Sequence, residues 1–188
     1  MKADIVRKSR DLMRQRTLKN KAPAWGLTEI AITKGKILAR KYKVDEKLVL
    51  TSLYLAHTVF SQKIGDKIRH HHEELSAQYA EVYLKRWGVS EKEREIIRNA
   101  IRAHHAKVKT KSKVAEVMKN AECFKFLTLK GALIYLHDLG TRGMSLEEAL
   151  EQVKYKARQK LGYVTLKAVR AEAQRNYKLI LKTLDFND

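Results

Sequence analysis

At 188 residues, 44% of them hydrophobic, the chain suits one domain with a real core. Forty Lys and Arg against 21 Asp and Glu give a formal charge of +19, which invites a polyanionic partner or else marks a Lys-rich, thermophile-like surface. The single Cys excludes an internal disulfide and suits a reducing cytoplasmic setting; the basic N-terminus lacks the apolar stretch of a secretory signal, and no apolar run is long enough to span a bilayer.

Residues 1–22 read as a basic helix or arm with a sparse stripe of Ile5, Leu12 and Met13. The phrase KAPAWG, with Pro23 and Gly26, then forms a turn. Leu27 to Tyr42 carries a helical pattern, and Asp45 is placed to cap the next helix. Leu48 to Phe60 is apolar on nearly every face, which predicts a central buried helix. Gly65 and Asp66 mark a loop. From His72, the residues Ser76, Ala80, Tyr83 and Trp87 recur at helical spacing until Gly88 stops them. Ser90 and Glu93 form an S-x-x-E capping box for a helix that puts Ile97, Ile101 and His104 on one face.

A basic loop, Lys107 to Lys113, follows. Val114, Met118, Ala121 and Glu122 resume a helix, and the apolar pattern persists to Leu139 before Gly140 and Gly143 interrupt it. Ser145 and Glu148 form a second S-x-x-E start, and Gly162 ends that helix. Leu166, Val169, Ala173, Tyr177, Ile180 and Leu184 give the last helix a three-four spacing. No strand-length alternation stands out. The expected fold is all-α, with a helical domain over 23–140 and a helical extension over 141–188 packed on it. Trp25, Tyr54, Tyr83 and Trp87 read as core rather than as stacking platforms.

Six of the seven histidines fall between Leu48 and Glu122: His57 ends LVLTSLYLAH, His70, His71 and His72 open HHHEELSAQYAEVYL, and His104 and His105 close IIRNAIRAHH. Glu122 sits in NAECFKFL. One helix cannot join these residues, but several packed helices can. Imidazole nitrogen and carboxylate oxygen ligate divalent transition metals, and such a metal polarises a phosphoryl oxygen and acidifies a bound water.

The order of these segments resembles the HD-domain superfamily of metal-dependent phosphohydrolases, over roughly residues 27 to 170. LVLTSLYLAH is similar to the family's apolar helix, with His57 in the place of the motif His. His72-Glu-Glu-Leu-Ser76-Ala77 is similar to its H-x-x-x-[GS]-A motif, and Ala100-Ile-Arg-Ala-His104-His105 to the helix that ends in His or His-His. Glu122 stands where a late Asp is usual. The resemblance implies an all-helical bundle, a metal held by His57, His72, His104 and Glu122, and catalysis through His57 and Glu122. Arg102, His105, Lys107 and Lys109 would hold phosphate. The implied metal is Mn, Ni, Co, Mg or Fe.

Two family ligands are missing. Thr58 replaces the Asp of the His-Asp pair, and the early His falls within APAWGLTE, where Leu27 or a neighbour stands. A rival register places the motif at His137-Asp138 in LIYLHDLGTRG, with His104 as the early His, but no histidine follows Asp138. A helix C-terminus stopped by Gly140 is the simpler reading of that phrase. Two functions are therefore expected. One is a phosphohydrolase or phosphodiesterase acting on a nucleotide or nucleic-acid phosphate through a reduced metal site. The other is an inactive module of the same fold that binds RNA, DNA or a nucleotide through its basic surface.

Overall fold

A computed structural model describes residues 4–60, 66–105 and 108–185, with the backbone alone over 66–70. Among these residues the chain forms nine helices and no strand. They are α1 (Asp4–Asn20), α2 (Trp25–Lys41), α3 (Glu46–Leu55), α4 (Asp66–Arg86), α5 (Glu91–Ala103), α6 (Lys113–Phe124), α7 (Leu129–Gly140), α8 (Leu146–Tyr163) and α9 (Lys167–Thr183).

Helix α3 is the axis. Every residue from Leu48 to Leu55 is buried, as its uninterrupted apolar character requires. Asp45 starts it by accepting from the backbone N–H groups of Lys47 and Leu48. Around α3 pack α1, α2, α5 and α6. Gly35 of α2 makes one of these approaches possible, since a Cβ there would lie 2.5 Å from Leu53 Cδ1. Helix α1 buries Met13 against the same core. Tyr54 is buried, while Trp25, Tyr83 and Trp87 are half-buried.

Both S-x-x-E phrases form reciprocal capping boxes, Ser90 with Glu93 and Ser145 with Glu148. Several boundaries differ from the sequence pattern. Helix α3 ends at Leu55, short of Phe60, and α2 begins at Trp25, inside the expected KAPAWG turn. Helix α4 begins at Asp66, before His72, and Gly65 lies outside the described residues. Helix α8 runs through Gly162 to Tyr163. The apolar run from Val114 to Leu139 is broken into α6 and α7 by a turn at 125–128. There Phe126 N–H donates to Cys123 O and Leu127 N–H to Phe124 O, and the Thr128 side chain caps α7 through Gly131 N–H.

The segment from α7 onward is built onto this frame from two sides. A second apolar cluster joins Ala132 and Leu139 of α7 to Ala149, Leu150 and Val153 of α8 and to Ile180 of α9. Asn120 of α6, fully buried, ties the α8–α9 junction to the first cluster. Its Oδ1 accepts from the N–H of Thr165 at 2.9 Å and of Leu166 at 3.1 Å. Among the described residues no helix is long and apolar enough to cross a membrane.

Candidate functional site

His57 lies in the turn just after α3, His72 on α4, and His104 at the C-terminal end of α5. Because α3 contacts both α4 and α5, the three imidazoles meet in the interior. The His57 and His72 rings stack with centroids 5.5 Å apart, and His104 stands edge-on to both at 5.0 and 5.4 Å. Each offers a ligand nitrogen within 4.8 Å of the other two, so the group could hold a metal ion. All three are buried, and His104 is completely so. A second group of the same kind joins His72, Glu73 and the half-buried His105, whose Nδ1 is 3.3 Å from Glu73 Oε1.

The protonation states suit ligation. Burial, then the charge of Lys125, pushes His57 down to about 4, despite the opposing pull of Glu122. Burial, then His57, holds His104 well below the usual histidine value. His105 is lowered too, by burial and then by His104. Neutral imidazoles keep one lone pair each. His104 Nδ1–H donates to the Ile101 carbonyl at 2.5 Å, which assigns the lone pair to Nε2. That nitrogen is buried and has no hydrogen-bond partner among the described residues. An orphaned acceptor facing two other imidazoles fits a cation.

Glu122 is placed differently. It is buried at the end of α6 and accepts from His57 Nε2 at 2.7 Å. It also pairs with the equally buried ammonium of Lys125, one turn on, whose Nζ lies 3.3 Å from His57 Nε2. Burial alone would raise the Glu122 pKa, but Lys125, followed by His57, outweighs it and holds the carboxyl well below the usual range. Glu122 therefore orients one imidazole and neutralises one lysine, and the three-histidine group forms without it. Thr58 is fully buried, and its hydroxyl donates to the Leu55 carbonyl. Leu27 is buried and lines the cleft beside the histidines.

The cleft has a volume of about 300 Å³. His57, His72 and His105 line it together with four basic side chains, Lys125, Arg142, Lys156 and Lys160, and Phe60, Phe126, Tyr135 and Tyr163 provide aromatic faces. Of the expected phosphate ligands, His105 alone lines it. Arg102 makes a bidentate pair with Glu74, at 2.7 Å on both arms, and Lys109 is exposed. Lys107 lies outside the described residues, as does the side chain of His70, while His71 is exposed. His137 is also exposed, and Asp138 pairs with Arg142.

The residues that sequence reasoning missed are Glu73, Lys125, Arg142 and Lys160. Two of them left a signal. Lys125 follows Glu122 at an i,i+3 spacing, and Lys160 continues the buried face of α8 defined by Leu150, Val153 and Ala157. Scanning protein-family models and searching curated proteins and solved structures found no match to this chain.

Proposed function

We propose that the protein is a metal-dependent phosphohydrolase of the HD-superfamily kind, acting on a small phosphorylated molecule such as a nucleotide. The observation that carries the reading is the buried convergence of His57, His72 and His104 beside a cationic cleft. A metal there would supply Lewis acidity and an acidified water. An all-nitrogen donor set favours Ni, Co, Fe or Zn over Mg, which demands oxygen ligands. His104 presents Nε2 because Ile101 holds its other nitrogen, and Glu122 fixes the tautomer of His57. The burial of the histidines and the size of the cleft exclude an intact duplex from the reacting centre, which narrows the substrate class to a single phosphorylated unit or a chain end.

The test combines elemental analysis of purified protein with a phosphatase screen in the presence of Ni, Co, Mn, Zn or Mg. The expected result is bound metal and turnover, both lost in His104→Ala. Metal-free protein that stays inactive in every metal, or activity equal in His57→Ala and the native chain, refutes the reading.

One observation favours a second reading, a binding module without turnover. The Lys125 ammonium already neutralises Glu122, the carboxylate that the resemblance assigns to the metal. Ligand binding by nucleoside monophosphates with no hydrolysis under any metal selects that reading.

A further inference from the structure

The cleft holds an imbalance that the histidine group does not use. Lys160 of α8 is completely buried, and its Nζ has no hydrogen-bond partner among the described residues. Two aromatic faces lie near it, with Nζ 5.6 Å from the Phe126 ring centre and 5.8 Å from that of Tyr163. Arg142, just past α7, donates through Nη2 to Asp138, but its buried Nε–H has no partner either. Both residues line the same cleft. Two buried cationic donors without acceptors, in one cavity, are costly unless something supplies oxygen atoms.

The other charged groups here are already engaged. Lys125 belongs to Glu122, and the Lys156 ammonium reaches Gln159 Oε1 at 3.3 Å. Glu73 faces His72 and His105, and Asp138 faces Arg142. Among these groups Lys160 is the ammonium whose Nζ has no hydrogen-bond partner among the described residues, with the carboxylates of Glu122 and Glu73 acting on it only through space.

We propose that the α7–α8 wall is an oxyanion subsite in which Lys160 anchors the phosphate of a small phosphomonoester and Arg142 Nε–H donates beside it. The proposal rests on the phosphorylated-substrate reading above and deepens it by naming the groups that hold the anion. The ligand class follows from chemistry and size. A planar guanidinium edge and an ammonium suit a tetrahedral oxyanion, and about 300 Å³ admits a phosphorylated sugar or one nucleotide rather than a polymer. The aromatic faces of Phe126 and Tyr163 give the rest of such a molecule an apolar surface.

The test uses the full chain stripped of metal by chelation and titrated calorimetrically with inorganic phosphate and with adenosine monophosphate. The native protein binds both. Lys160→Met binds at least about 10-fold more weakly, the loss expected for one charge-assisted hydrogen bond. Arg142→Lys, which keeps the charge beside Asp138 but removes the Nε donor, weakens binding by a smaller factor. Lys167→Met, at an exposed position, binds like the native chain. Melting temperature serves as the folding control: methionine replaces an unpaired buried amine, so Lys160→Met melts no lower than the native protein.

Native-level binding by Lys160→Met overturns the proposal. So does failure of the native protein to bind either ligand. Binding that appears only after metal is restored also overturns it, because the anion then belongs to the metal. If Lys160→Met does not fold, Arg142→Lys decides, and native-level binding in that variant overturns the subsite. Absence of metal or of turnover would remove the hydrolase reading and leave this binding measurable.

Discussion

Removing Lys125 is the most informative single perturbation of the interior. Lys125 and Glu122 side chains are each only 2% exposed, and they pair directly. Taking two charges out of water costs several kcal/mol each, which their attraction offsets only while both are present. Lys125→Met keeps the approximate volume and leaves the Glu122 carboxylate with His57 Nε2–H as its remaining partner. The expected loss is about 3–5 kcal/mol, the range for breaking a buried pair from one side. For a chain of this size, that lowers the melting temperature on the order of 10 °C. Adding Glu122→Gln removes the stranded charge while keeping an oxygen for the His57 N–H, so the double variant should recover most of the loss. Chemical denaturation of the native, two single and double variants gives the coupling energy directly. A Lys125→Met loss below about 1 kcal/mol, or a double variant no more stable than Lys125→Met, would refute the assignment of Lys125 as the counter-ion of Glu122.

Other consequences are checkable with the same instruments. In metal-free protein, His57 is lowered to about 4 from 6.5, so the unfolded chain binds more protons between those values. Stability should therefore fall by about 3 kcal/mol as pH drops from 6.5 to 4, more steeply where His104 and His105 add to it; a urea midpoint unchanged between pH 7.5 and pH 5 would contradict this. Asn120→Ala strips the buried Leu166 N–H of its acceptor and loosens the α8–α9 junction, for an expected cost of about 2 kcal/mol in denaturant unfolding. Gly131→Ala would set a Cβ 1.7 Å from the Lys125 carbonyl oxygen, so backbone must move, with an expected loss of about 2 kcal/mol or more in thermal unfolding; a neutral result would show that the α6–α7 turn is more tolerant than its geometry implies.

The starts of α3, α5 and α8 were legible because their signals are local. Asp45, Ser90 and Ser145 each accept the backbone N–H groups that their positions foretell. Burial of α3 was equally legible, since no face of it is polar enough for water. The α6–α7 break was not. The turn at 125–128 contains neither Gly nor Pro, and Phe126 and Leu127 extend the apolar pattern across it. What stops α6 there is the backbone itself: Phe126 and Leu127 close i→i−3 turns on Cys123 and Phe124, and Thr128 begins a new helix. The site shows the same division. His57, His72 and His104 are each the polar end of an apolar phrase, so their convergence could be argued from order alone. Arg102 and Lys109 looked equally suited to phosphate, but sequence cannot reveal that Glu74 claims Arg102 across 28 positions. Nor could it place Lys160, whose charge disguises a core position.

The two fully enclosed lysines, Lys125 and Lys160, are chemically alike and energetically opposite. Lys125 has a carboxylate one helical turn away, so its burial is compensated and its removal strands a charge. Lys160 has aromatic faces and, among the described residues, no acceptor; burial lowers its pKa, and its removal strands no hydrogen-bond partner among those residues. Substitution by methionine should thus destabilise at 125 and be neutral or stabilising at 160. Stability alone would not maintain an amine in that position. The cleft that Lys160 faces is closed by helix α8, within the segment that the sequence presents as an appendage to the histidine-bearing domain. Deleting that segment should expose the histidines and remove Lys160 together, so the histidine cluster and the basic side chains of the cleft form one unit rather than a core domain with a decoration.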